Sequence, residues 1–231
     1  EGYPTRAFVI ALIGLSFANI DHSRFALVLT QIKQEFGWTE TERGLFLCVT
    51  FVISGIVVTQ IGVLTDRYGR KRMLLWTMLL TPIFVRAMFC AHSTWMLLIL
   101  RVLGFSGAGA QSPLTGTLVI EEAPPRYRGL LSGVLQIGYP VGWALAALVF
   151  VPLAWDSNGD PDGWRSIFFL ALLGLPVAYL FWKYLREPPT WSAAAAERAA
   201  TPVSTATLFT PEYRSRTLVL FLGQFLQVFA Y

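Results

Sequence analysis

Charge is what this sequence has least of: Asp, Glu, Lys and Arg make up 14% of its 231 residues, against roughly 25% in soluble domains. With 55% hydrophobic residues and a mean hydropathy of +0.55, the balance points to a membrane class before any motif is read. Cysteine is almost lacking. Cys48 and Cys90 both lie in apolar runs, so they read as packing residues without a disulfide framework and leave the redox compartment open. Histidine is equally scarce. His22 and His92 are the only two, and no H-x-x-x-H, G-x-S-x-G or Cys-His cluster occurs, which removes the metal-ligand and nucleophile-base constellations of an enzyme. No metal or cofactor is expected. Polybasic tracts interleaved with aromatics are absent too, so nucleic acid is not an expected partner; the net charge of +4 falls in short clusters between apolar runs. The first apolar run follows Arg6 without a small-residue cleavage site and reads as a retained span.

What the chain does have is long hydrophobic runs. A helix needs about 20 residues to cross the hydrocarbon core, and runs of that length fall near 7–31, 44–64, 73–91, 94–120, 129–151 and 165–184, with a seventh beginning near Thr217. The expected architecture is all-α: a six-helix membrane domain over 1–185, an inner linker over 186–216, and the start of a further membrane domain over 217–231. The linker carries Pro188, Pro189, Pro202 and Pro211 and an interfacial helix is expected near Ser192–Ala200. Twelve Lys and Arg residues fall on the side of the N-terminus and three on the other, which places the N-terminus in the cytoplasm. Arg165 is counted among the three as a border residue. Thr39 and Glu42 form a capping-box pattern ahead of the second run. The loop D-S-N-G-D-P-D-G from Asp156 invites a calcium reading, but Pro161 and Ile167 replace the required Gly and bidentate Glu, so it reads as a turn.

The turn between the second and third runs, G-V-L-T-D-R-Y-G-R-K-R from Gly62 to Arg72, resembles the G-x-x-x-D-R-x-G-R-[KR]-[KR] signature of the major facilitator superfamily. The resemblance implies the N-terminal half, a 3+3 repeat, of a twelve-helix secondary transporter that works by alternating access. In that reading Gly62 permits close packing, and Asp66, Arg67, Gly69 and Arg70 form one side of a gating latch at the inner rim. Glu121 and Arg128 of V-I-E-E-A-P-P-R-Y-R-G supply the other side, and plain topological charge is the competing reading.

Ionisable residues at bilayer depth are costly and usually functional. The first run carries Asp21, His22 and Arg24, with Asp21 near its middle, where transporters of this kind place substrate and ion sites. Asp21, Arg24, Ala18, Phe17 and Gly14 share a helix face that is expected to line a cavity. Asp21 is either a proton site or a permanent ion-pair partner. His22 points about 100° away and is either a second titrating group or a helix-interface hydrogen-bonder. Arg24 either pairs with Asp21 or binds a substrate carboxylate. Arg101 opens R-V-L-G-F-S-G-A-G, a pattern similar to the fourth helix of the same superfamily, and lies roughly 10 Å below the outer end at 1.5 Å per residue, within reach of Asp21. The glycines after it suit close helix packing. Gln111, Gln136 and Tyr139 add polarity at membrane depth, Pro113 permits a kink, and each polar group could equally be an inter-helix hydrogen bond, the reading preferred for Gln60. Arg86 reads as a snorkelling residue.

T-L-V-I-E-E-A-P-P-R-Y-R-G resembles the fourth-to-fifth junction of aromatic-acid and sialic-acid proton symporters, and N-I-D-H-S resembles the N-Y-x-D-R of organic-anion symporters, with His22 where those carry Arg. Of the D-G-F-D motif in the first group only the second Asp has a counterpart, Asp21. The resemblance implies proton-coupled symport of a small organic anion by a monomeric multi-pass protein of the plasma membrane, with the lipid bilayer as its surroundings. A drug/proton antiporter and a non-transporting receptor on the same fold are the alternatives.

Overall fold

The computed structural model describes residues 3–156, 165, 167–184 and 209–229, with side chains left undescribed at some of these, Asp21 and Glu122 among them. They fall into two units, one within Glu1–Ser192 and one within Ala193–Tyr231. All regular elements among the described residues are helical: α1 Tyr3–Glu35, α2 Glu40–Tyr68, α3 Arg70–Ala87, α4 Thr94–Glu122, α5 Arg128–Gln136, α6 Gly138–Asp156, α7 Gly174–Tyr184 and, in the second unit, α8 Pro211–Phe229. Short 3-10 turns extend α3 through Met88–Cys90, precede α5 at Pro125–Tyr127 and lead into α7 over Ile167–Leu173. The loop at 157–164 and the stretch 185–208, which holds the expected interfacial helix, lie outside the described residues. The eighth helix begins at Pro211, within the stretch read as linker; Pro suits a first helical position, where no N–H is needed.

Among the described residues, four helical stretches are long and apolar enough to cross a membrane: α2, α3 with its 3-10 extension, α4 and the run Pro125–Val149. At 33 residues, α1 is longer than any of them but is interrupted by the polar run from Asn19 to Arg24. Its small polar side chains bond back to their own helix: Ser16 Oγ donates to the Leu12 carbonyl at 2.9 Å, Asn19 Nδ2 to Leu15 at 2.8 Å and Ser23 Oγ to Asn19 at 3.0 Å. That satisfies polar groups where water is excluded.

Helix ends follow local chemistry. Thr39 caps α2 with its hydroxyl accepting from the Glu42 N–H at 3.2 Å, while the Glu42 carboxylate accepts from the Thr39 N–H at 2.7 Å, the reciprocal box expected from the spacing. Between α2 and α3 the chain reverses at one residue, Gly69, whose φ of 106° is open to glycine and strained for side chains. The fifth span, read as one helix, is two. Pro140 has no N–H for the Gln136 carbonyl, so α5 stops at Gln136 and α6 restarts after Ile137.

Packing pairs α1 with α6 and α4, α2 with α4, and α3 with α4, α7 and the 3-10 segment before it. Near one end Phe25, Val28, Ile32, Phe46, Met88 and Phe168 form the core; towards the other Leu74, Met78, Leu114 and Phe181 do. Because lipid is as apolar as leucine, close backbone approach must hold such helices together. A Cβ on Gly107 would overlap Thr81 of α3, and one on Gly142 would overlap the Ser16 carbonyl of α1. The small-residue reading of the α4 glycines describes this packing. Most of α2 remains exposed, including Leu45, Phe51, Val52 and Ile56.

Candidate functional site

Arg101 reaches from α4 towards α1 and lies against aromatic rings. Its guanidinium carbon is 4.0 Å from the ring centroid of Phe25 in α1 and 4.9 Å from that of Phe105, one turn along its own helix. Phe105 also meets the ring of His22 at 4.2 Å between centroids and that of Phe51, from α2, edge-on at 5.0 Å. Arg101 is 6% exposed, and among the described residues its Nε has no hydrogen-bond partner. The aromatic contacts continue outward from Phe25 to Phe46 at 6.0 Å and from Phe46 to Trp38 at 4.8 Å, and the Trp38 Nε1–H donates to Thr94 Oγ1 at 3.0 Å. A guanidinium held by ring faces keeps donors for an incoming carboxylate, since a charge-assisted bidentate pair is stronger than contact with a ring.

The structure brings Arg101 and His22 to one ring, that of Phe105; the Asp21 side chain lies outside the described residues. Arg24 is fully buried. On the face it shares with Ala18, Phe17 and Gly14, those three residues line a narrow crevice of about 10 Å³ with Met78, Thr81 and Gln111. A Cβ on Gly14 would come within 2.5 Å of Phe181 and 2.7 Å of Met78, because α3 and α7 fill that side of α1. Gln111, a substrate-side candidate, is 4% exposed and donates from Nε2 to Thr81 Oγ1 at 3.4 Å. It acts as an α4–α3 hydrogen bond beside that packed crevice. Gln136 and Tyr139 flank the break in the fifth span and are exposed, with Tyr139 tilted against Trp143 at 6.2 Å.

At the other end, Arg70 at the start of α3 makes an ion pair with Glu121 in the last turn of α4. Asp66 and Arg70 border a groove of 210 Å³ between α2 and α4 that Gly62, Thr65 and Pro113 also line. Gly62 is a correction to the close-packing expectation: a Cβ there would meet nothing among the described residues. Arg67 is exposed with its guanidinium 5.6 Å from the Tyr68 ring. Arg128, grouped with the latch by sequence, instead donates from Nε to the Ala123 carbonyl at 3.1 Å, closing the turn after α4.

Sequence reasoning passed over Phe25, Phe105 and Arg165. Phe105 follows Arg101 by four residues and Phe25 follows His22 by three, spacings that put each pair on one helix face but do not by themselves mark either ring as part of the site. Arg165, counted only as a border charge, is 6% exposed. It donates to the carbonyls of Phe89 at 2.7 Å and Ala91 at 2.9 Å and forms an ion pair with Glu35. One guanidinium thus ties the end of α1, the end of α3 and the start of the sixth span.

The chain is 31% identical to the 3-(3-hydroxy-phenyl)propionate transporter of Escherichia coli, over 94% of this chain and 51% of that protein. It is 28% identical to the cis,cis-muconate transport protein of Acinetobacter baylyi, over 90% of this chain and 48% of that one. Among solved structures, the partially occluded, inward-open xylose transporter XylE of E. coli superposes with a TM-score of 0.72 at 20% identity, covering 93% of this chain and 57% of XylE; that likeness is one of fold. The chain spans about half the length of the curated relatives it matches. The family model of the Major Facilitator Superfamily matches residues 7–231, and with its helical bundle and intramembrane charges the chain belongs to that superfamily of membrane transporters.

Proposed function

We propose that this chain is the N-terminal half of a secondary transporter that takes up a small organic anion, a carboxylate, together with a proton by alternating access. The observation that carries the reading is the Arg101 guanidinium, set at membrane depth against Phe25 and Phe105 with its Nε unbonded among the described residues. An embedded cation of this kind suits an anionic cargo, and the two relatives above are named for carboxylates. In this reading Arg101 binds the substrate carboxylate, Asp21 carries or senses the proton, and Arg24 and His22 set the local charge. No enzyme chemistry and no cofactor other than the proton are needed. The inner-rim charges Asp66, Arg70 and Glu121 bias the state closed on the cytoplasmic side, since a contact shifts an equilibrium only by its difference between states. The protein works as a monomer in the plasma membrane with its N-terminus in the cytoplasm, residues 1–185 forming the first bundle, 186–216 the linker and 217–231 the start of the second.

Uptake by the complete transporter in proteoliposomes tests the coupling. Asp21→Asn is expected to abolish accumulation of labelled muconate driven by a proton gradient while sparing exchange down its own gradient. Full proton-driven accumulation by that variant would remove Asp21 from the coupling step.

A further inference from the structure

Resting on the anion reading, we propose that Phe105 is a positioning residue that holds the Arg101 guanidinium where a substrate carboxylate meets it, and so helps set which acids bind. Phe105 joins its own helix to two others. It lies 4.9 Å from the Arg101 guanidinium carbon on its own helix, 4.2 Å from the His22 ring on α1 and 5.0 Å from the Phe51 ring on α2. Phe25, 1% exposed, is packed into the core around α1 and is a fixed ring. Phe105 is half-buried and Phe51 is 57% exposed, so the second ring against Arg101, unlike Phe25, is not closed over by the described residues. That makes Phe105 the side of the cage beside which a bound acid would lie.

The physics favours positioning over mere filling. A phenyl face attracts a cation through its quadrupole, yet offers no acceptor that would neutralise it. The guanidinium is therefore oriented without being consumed, and its N–H edges stay available for a planar, bidentate carboxylate. An aliphatic side chain of similar bulk would keep the packing with His22 and Phe51 but release the guanidinium to several rotamers. The lost orientation would be paid at the moment of binding and would appear in KM more than in maximal rate. A substrate with its own apolar body would in addition lie beside Phe105 and Phe51, so acids with rings or conjugated chains should depend on Phe105 more than small saturated acids do.

The test measures initial uptake of labelled cis,cis-muconate and labelled nicotinate by the complete transporter in proteoliposomes. Phe105→Leu is expected to raise KM about tenfold with maximal rate changed less than twofold, and Phe105→Tyr, which keeps the ring, to restore KM to within about threefold. Should the leucine variant fail to reach the membrane, Phe105→Met takes its place. Equal KM for wild type and the aliphatic variants, or a tyrosine variant no better than leucine, overturns the positioning role while leaving the anion reading intact. A wild type that transports neither acid overturns both.

Discussion

At the scale of single residues, the charged members of the site were legible and the aromatic ones were not. Asp21, Arg24 and Arg101 stand out because an ion inside a run of apolar residues has no inexpensive explanation. Phenylalanine carries no such flag: with 17 of them in the chain, periodicity alone does not single out the two whose rings meet Arg101. Gln111 carries two readings in the sequence, since a polar group at membrane depth can be satisfied by a neighbouring helix as well as by substrate, and here Thr81 accepts a hydrogen bond from it. Arg101→Lys keeps the charge but loses the planar fork; carboxylate uptake by the complete transporter is expected to fall at least tenfold. Undiminished uptake would show that a point charge suffices. Gly107→Ala places a methyl group into Thr81 of α3 and is expected to cost about 1–3 kcal/mol as an overpacked contact, read as a lowered thermal midpoint in detergent with no change in KM for the molecules that remain folded.

At the scale of elements, run lengths and capping chemistry located the helices well, and their ends departed from the apolar runs for identifiable reasons. The Thr39–Glu42 box was visible as a spacing and is formed. The break at Ile137 was not foreseen, because Pro140 lies in a strongly apolar run and hydropathy is blind to a missing N–H. Gly69 was expected to serve in the inner turn, and its φ of 106° gives the reason: α2 and α3 are antiparallel neighbours joined through one residue. Gly69→Ala is expected to cost about 1–3 kcal/mol of backbone strain, whereas Gly62→Ala, in open space among the described residues, should leave the stability of this bundle unchanged. Thermal unfolding of the two variants side by side separates a backbone requirement from a packing one; equal midpoints would refute it.

At the scale of the whole molecule, the alternation of basic and neutral loops yields an expected orientation, and the family match gives the transporter class. Arg70 and Glu121, expected on opposite sides of the inner-rim latch, do form an ion pair. What the sequence could not display was Arg165 with Glu35, a pair distant in sequence that no local spacing announces. Removing the Arg165 guanidinium takes a donor from the carbonyls of Phe89 and Ala91, while the Glu35 carboxylate, which is partly exposed, can turn to water; Arg165→Ala is expected to destabilise the bundle by about 1–3 kcal/mol, the cost of leaving buried acceptors unsatisfied. A double-mutant cycle with Glu35→Gln measures how much of that is the ion pair. Orientation is tested with single cysteines in a background lacking Cys48 and Cys90: one placed at Arg126 should react with a membrane-impermeant thiol reagent only from the cytoplasmic side, and one at Thr41 only from the opposite side.

The Arg165 tie also has a consequence for biogenesis. Glu35 leaves the ribosome 130 residues before its partner, a delay on the order of ten seconds at ordinary elongation rates. Throughout that interval the first five spans lack the Arg165 guanidinium, and the sixth span supplies it when it packs. A nascent chain arrested before residue 165 should therefore remain exposed to membrane quality control, and one arrested after the sixth span has inserted should not.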